Sequence, residues 1–265
     1  MSATALAIDQ FQSFRSSRPD LRRAETSNRA PSLPAQASNR LLAALPAAEY
    51  QRLLPHLKTV PLVRGQTIYQ ASSQADQVFF PTSGMVCLTH VTAKGESSEL
   101  AVVGNEGLVG IFQILSGNIC WPYSALVYGA GRALQIPGVV LRREFERGDV
   151  LFRVLLRHTQ QPMTHVAQTA VCNRHHTLEQ QLCRLLLLSL DRSPSNEIIL
   201  TQELIGNMLG VRREGVSEAA THLQQAGMIR CRRGHITVLD RLKLEGRVCE
   251  CYAEVRREHD RLSPH

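Results

Sequence analysis

Apolar residues along this chain recur at helical spacing, then at strand spacing, then at helical spacing again. Leu41, Leu42, Leu45, Leu53 and Leu54 form a helical face over residues 37–57, broken at Pro46 and closed at Pro55. From 58 to 137 the runs shorten, to 59–63, 67–69, 77–80, 85–91, 98–103, 124–128 and 133–136. Gly65, Gly84, Gly95, Gly104, Gly107 and Gly131 punctuate them. Short strands so closely spaced predict a small antiparallel β sandwich or roll, with a hairpin turn at Lys94-Gly95. Helical spacing returns over 139–147. Asp149 then stands as N-cap of a long helix through Asn173, more than ~30 Å from end to end. Pro162 lies inside it and predicts a kink or break. Val154, His158, Gln161, His165, Gln168 and Cys172 recur at roughly heptad spacing, which predicts a two-stranded dimer interface. A further helix is expected over 177–190, a turn at Ser193-Pro194-Ser195 and a short strand over 198–200.

Residues 200–233 carry the most specific pattern. Thr201 can cap a first helix whose core face is Leu204, Ile205, Met208 and Leu209, with Glu203 near its positive end. Gly206 is small where two helices must cross, and Gly210 suits the left-handed backbone that ends a helix. Val211, Val216, Ala219, Ala220 and Leu223 anchor a second helix from inside. Its outward face carries Arg212, Arg213, Glu214, Ser217, Glu218 and His222. Residues 228–232 and 235–239 then form a hairpin around Arg233-Gly234, edged by Arg230, Arg232 and Arg233. This is a helix-turn-helix with a wing, and it points to double-stranded DNA. Arginine pairs with guanine through two hydrogen bonds, glutamate accepts from the cytosine amino group, and the wing arginines can neutralise phosphates. The expected DNA-contacting set is Thr201, Arg212, Arg213, Glu214, Ser217, Glu218, Arg230, Arg232 and Arg233. An ordinary helical hairpin with a solvated charged face is the bland reading. The glycines, buried valines, hairpin and basic flank all argue against it.

Charge agrees with a polyanion partner: net +7, with a pI near 9.3. No apolar run approaches the ~20 residues a membrane-spanning helix needs, and residues 1–36 lack a signal-peptide core. They mix Ser, Arg, Ala and Pro, and read as a mobile extension with room for one short helix over 5–14. A cytoplasmic protein is expected.

Seven cysteines, Cys87, Cys120, Cys172, Cys183, Cys231, Cys249 and Cys251, are an odd set for a disulfide framework. Cys249 and Cys251 are separated by one residue, poor zinc spacing without a matching second pair, and are expected to be buried spectators. His158, His165 and Cys172, with His175 and His176, invite a metal or haem reading. Seven-residue steps along one helix put successive groups ~10 Å apart, too far for one ion within a chain; a pair could meet only across a symmetric dimer, and polar positions in a dimer seam are the simpler reading, so no metal or cofactor is assigned. No nucleophile elbow, phosphate-binding glycine-lysine loop or His-Glu-x-x-His helix occurs, and no enzymatic activity is expected.

The order of β roll, long helix and winged helix-turn-helix resembles the Crp/Fnr family of bacterial transcription factors. The likeness spans about 37–250 and is most specific at 200–239, with Asn173-Arg174-His175 and Asp191-Arg192 similar to one subgroup. The resemblance implies a homodimer on a two-fold symmetric operator, a signal received in the β roll, and RNA polymerase as a further partner. It also implies that Arg213 and Glu214 occupy the base-reading positions. Arg212 replaces the usual Ser or Thr, and Glu218 reverses the charge of a second reading arginine, so the preferred operator should differ. The family's nucleotide pocket uses a Gly-Glu pair and an Arg-Ser or Arg-Thr pair. Here 107–112 and 121–125 show neither carboxylate nor arginine, so weak or no cyclic-nucleotide binding is expected. The extension has no cysteine for an iron–sulfur cluster.

The expected fold is therefore α+β: an extension (1–36), a cyclic-nucleotide-binding-like antiparallel β roll (37–148), a dimerisation helix (149–175), a winged helix-turn-helix (176–250) and a C-terminal tail (251–265). The competing reading is a ligand-binding or interaction module whose output is a protein partner.

Overall fold

The structure, a computed structural model, describes residues 38–73, 76–92, 97–112, 122–192, 195–232 and 234–262. The N-terminal extension, the Lys94-Gly95 turn, Ser193-Pro194, Cys120, Trp121 and Arg233 lie outside the described residues. Helices α1 (Arg40–Ala43) and α2 (Ala47–Leu53) close one end of a β roll. Buried Asn39 fixes their position. Its carbonyl oxygen accepts from the Leu41 and Leu42 amides, and its Nδ2 donates to the Pro81 and Gly107 carbonyls, each at 2.9 Å. A buried amide is tolerated because both its ends are satisfied.

The roll contains β1 (Lys58–Leu62), β2 (Thr67–Tyr69), β3 (Gln77–Val91), β4 (Ser97–Val103) and β5 (Tyr123–Pro137). All pairings are antiparallel, in the order β1-β5-β3-β4, with β2 also on β5. Strands expected as two pairs of short runs, 77–80 with 85–91 and 124–128 with 133–136, are two continuous strands of 15 residues each. The glycines read as breaks are bends where these strands touch. The register shifts between Pro81 and Val86, and a Cβ on Gly131 would lie 2.3 Å from the Ser83 carbonyl oxygen. Gly84 has φ +80, and a Cβ there would lie 2.5 Å from the Gly129 carbonyl oxygen. Only hydrogen fits between two backbones at such bulges. Leu62, Val86, Leu88, Val103, Val109 and Val127 fill the interior.

Helix α3 (Gly138–Glu146) leads into α4 (Val150–His175), one helix of 26 residues, about 39 Å long at 1.5 Å per residue. It runs through Pro162 without interruption, so the expected break does not occur. Asp149 stands at the N-cap position but its side chain caps nothing; it accepts instead from Arg52. Glu49 of α2 does the capping, taking the Val150 and Leu151 amides at 3.1 and 2.9 Å. A carboxylate at that end also meets the positive pole of the helix.

After His176 and Thr177 comes α5 (Leu178–Leu190), opened by a capping box between Thr177 and Gln180. It is the spine of the second core, packing Leu182, Leu186 and Leu187 against Ile205, Val216, Leu223, Ile229 and Leu244. Around it lie β6 (Glu197–Ile198), α6 (Gln202–Leu209), α7 (Arg213–Gln225), β7 (Ile229–Arg232), β8 (His235–Val238), α8 (Arg241–Arg247) and α9 (Cys251–Leu262). The three strands pair antiparallel in the order β6-β8-β7. The expected tail is α9, which lies along α4 with Cys251, Tyr252, Val255 and Leu262 buried. Those positions recur at helical spacing, but the charged residues between them mask the pattern.

Candidate nucleic-acid interface

Helices α6 and α7 are held by short-range devices. The Thr201 hydroxyl accepts from the Leu204 amide at 3.1 Å and caps α6. Gly210 ends α6 in the left-handed conformation, φ 68 and ψ 32. Gly206 sits against the turn, where a Cβ would lie 2.9 Å from the Val211 carbonyl oxygen. Val216, Ala219, Ala220 and Leu223 bury the inner face of α7 on α5 and α6. The opposite face is left to solvent. Arg212, Arg213, Glu214 and Glu218 are exposed, and Ser217 is half-buried.

The wing stands beside that face. Arg232 pairs with His235 across the tip, and Arg230 and Arg232 point outward while Ile229, Ile236 and Val238 point into the core. Alternation along a two-faced strand produces this division. Arg212, Arg213, Arg230 and Arg232 make no ion pair with any described residue. Arg52, Arg147, Arg192, Arg241, Arg247, Arg257 and Arg261 are all paired with carboxylates. These four keep their donors unspent, two at the start of α7 and two on the wing.

Contacts unforeseen from sequence tie this unit to the roll. Arg192, at the end of α5, donates to Glu106 at 2.7 Å and to the Leu188 carbonyl at 2.9 Å. Burial alone would raise the Glu106 carboxyl. The charge and hydrogen bond of Arg192 overcome it and hold the group below the ordinary carboxylate range. Asp191 accepts from Arg241 at 2.6 Å and from the Tyr252 hydroxyl at 3.0 Å. Arg64 of the roll donates to the Ile199 carbonyl at 2.8 Å. The only signal in the sequence was the Asp191-Arg192 step itself, which names no partner.

The residues expected to form the dimer stripe pack largely within the single chain. Val154, His158 and Cys172 are 8%, 4% and 0% exposed within a single chain, and Gln161, His165 and Gln168 are half-buried beside them. His158 Nε2 accepts from the Leu108 amide at 3.3 Å, so its proton sits on Nδ1; burial pushes its pKa down. Burial, with Arg184 and Arg192, pushes His165 down to about 3. The Gln168 amide donates to Cys251 Sγ at 3.1 Å. This stripe faces β4 and α9 of its own subunit. Leu156, Met163, Val166 and Val171, 45%, 69%, 42% and 47% exposed, occupy the opposite side. Helical spacing fits both stripes, and His and Gln were buried by hydrogen bonds that periodicity does not reveal.

Cys249 and Cys251 are buried as expected, but they are not isolated. Cys249 and Cys251 do meet a second pair, because Cys172 and His176, four residues apart at the end of α4, come to them. The four ligand atoms lie within 4.8 Å of one another. His175 is exposed and takes no part.

No helix among the described residues is long and apolar enough to cross a membrane. No curated protein sequence matches this chain. Residues 59–148 match the cyclic nucleotide-binding domain and 180–247 the Crp-like helix-turn-helix domain. A putative transcriptional regulator of the Crp/Fnr family from Eubacterium rectale superposes with a TM-score of 0.65 at 18% identity, covering 79% of this chain and 98% of its own. FixK2 from Bradyrhizobium japonicum gives 0.63 at 17%, covering 73% and 98%. The c-di-GMP responsive global regulator CLP of Xanthomonas campestris gives 0.60 at 13%, covering 73% and 99%. These likenesses establish a shared fold, and the two domain matches lie in the same order on one chain. The chain belongs to the Crp/Fnr family of helix-turn-helix transcription regulators.

Proposed function

We propose that this chain acts in the cytoplasm as a homodimer that reads a two-fold symmetric operator through the first turn of α7. One observation carries the reading: Arg212, Arg213 and Glu214 are exposed and free of ion pairs on a helix whose other face is locked in the core. Arg213 reaches a guanine edge and Glu214 a cytosine amino group, each good pair discriminating by about 1–3 kcal/mol. Arg212, Ser217 and Glu218 border that contact. Arg230 and Arg232 hold phosphates, Arg233 between them and His235 in sequence adds a further cation, and Thr201 flanks the backbone at the N-terminus of α6.

The subunits pair through Leu156, Met163, Val166 and Val171, an apolar strip on the free side of α4. Two recognition helices then face half-sites about 34 Å apart. RNA polymerase is the expected further partner. The roll carries no arginine for a cyclic phosphate at the family's usual position, so cyclic AMP is not its signal by that route.

Binding measured against a panel of operator variants tests this. Arg213→Ala relaxes preference at one position in each half-site, with a loss of about 1–3 kcal/mol on the best site. Arg232→Ala weakens all sequences alike and lowers the salt slope by about one. Unchanged preference in Arg213→Ala would remove this residue from the reading head.

A further inference from the structure

Four potential metal ligands meet where the end of α4 touches the junction of α8 and α9. Cys172 lies in the last turn of α4, and His176 follows it, its amide bonded to the Cys172 carbonyl. A four-residue step puts both side chains on one face. Cys249 and Cys251 come from the junction, with Glu250 between them. All three sulfurs are buried, 0%, 4% and 0% exposed.

We propose that Cys172, His176, Cys249 and Cys251 form a structural Zn²⁺ site that fastens the C-terminal helix to the end of the dimer helix.

The spacing is that of a single tetrahedral ion. Zinc–sulfur bonds of about 2.3 Å and zinc–nitrogen bonds of about 2.0–2.1 Å place two sulfurs ~3.8 Å apart and sulfur and nitrogen ~3.6 Å apart. Cys172 Sγ and Cys249 Sγ are 3.6 Å apart, and Cys251 Sγ and His176 Nδ1 are 3.4 Å apart. A cage whose ligand atoms all lie within 4.8 Å of one another leaves no space for the bridging sulfides of a cluster. Three thiolates and one imidazole, with no fifth position, select zinc in a closed structural site.

The surrounding groups fit the same occupant. While Nδ1 of His176 faces the sulfurs, Nε2 lies 3.2 Å from the Glu250 carboxylate. A metal-bound histidine commonly donates its other ring proton to such a carboxylate. The Gln168 amide donates to Cys251 Sγ at 3.1 Å, a bond that a thiolate strengthens. Arg184 is buried, its Nε and Nη1 lack any hydrogen-bond partner, and its charge acts on Cys172. A zinc ion with three thiolates carries a net charge of −1, and that charge gives the isolated guanidinium its counterion. The site is independent of whether α7 reads DNA.

The test uses the full chain, expressed with added zinc and purified under reducing conditions without chelator. Metal analysis is expected to find one zinc per chain. Cys172→Ser and Cys251→Ser lose it, and Cys231→Ser, on the wing, keeps it. Cobalt substitution should give the visible bands of a tetrahedral thiolate-rich centre. Glu250 is exposed, so Glu250→Gln leaves the fold intact and weakens zinc about 10- to 100-fold in competition with a chelator. Folded protein that takes up no zinc on titration overturns the proposal. So does zinc retained by Cys251→Ser, a Cys172–Cys249 disulfide in the reduced preparation, or iron with sulfide in place of zinc.

Discussion

Glu106 and Arg192 show how much can rest on one pair of side chains. Their 2.7 Å contact is nearly dry, and removing one partner would strand the other charge away from water. The Glu106 carboxyl is held below its ordinary value in the folded chain, so its contribution is complete above the unfolded pKa of about 4.3. It fades as pH falls through the lower folded value. Comparing urea unfolding of the native chain and Glu106→Gln from pH 7 to pH 3 should show a gap that is widest at neutral pH and closes in acid. A gap constant with pH would mean that the carboxylate is not ionised in the fold. Gly206 makes a different demand. An alanine gains ~1 kcal/mol of helix propensity there, but its Cβ would meet the Val211 carbonyl oxygen, and such overpacking costs about 1–3 kcal/mol. Gly206→Ala should lower the thermal midpoint; a rise would show that the turn yields easily.

At the level of elements, α4 shows where the sequence was readable and where it was not. Its existence and approximate ends follow from periodicity. Its orientation does not, because two stripes at helical spacing run down opposite sides. The sequence favours the stripe through Val154 and His158. The fold buries that stripe by bonding His158 to the Leu108 amide and Gln168 to Cys251. These partners lie 50 and 83 residues away in sequence. The helix-turn-helix was legible for the opposite reason. Its cap, its left-handed glycine and its inward valines are local features, decided within 25 residues. The strands of the roll were split because glycine marks a bulge between close backbones as readily as a turn. The exposed stripe has its own consequence. Met163→Glu should shift sedimentation from dimer to monomer and remove operator binding, with thermal stability of the isolated chain little changed. The equivalent change at Arg143, exposed on α3 and off α4 altogether, should leave the dimer intact.

Across the whole molecule, the two functional halves share more than a covalent link. Arg192 reaches Glu106, Arg64 reaches the Ile199 carbonyl, and α9 returns from the DNA-binding unit to lie along α4. Any signal received in the roll must act on this common frame. Inserting about five base pairs between half-sites turns the second one to the far side of the duplex. Operator binding should then collapse to the affinity of one half-site, as a band-shift titration would show. Inserting a full helical turn should not restore it. Between the last residue of α4 and the first of α5 lie only His176 and Thr177. A leash of two residues gives each reading head almost no room to roam, so a dimer of this chain would be a caliper of fixed gauge, its targets sorted by ruler as well as by letter.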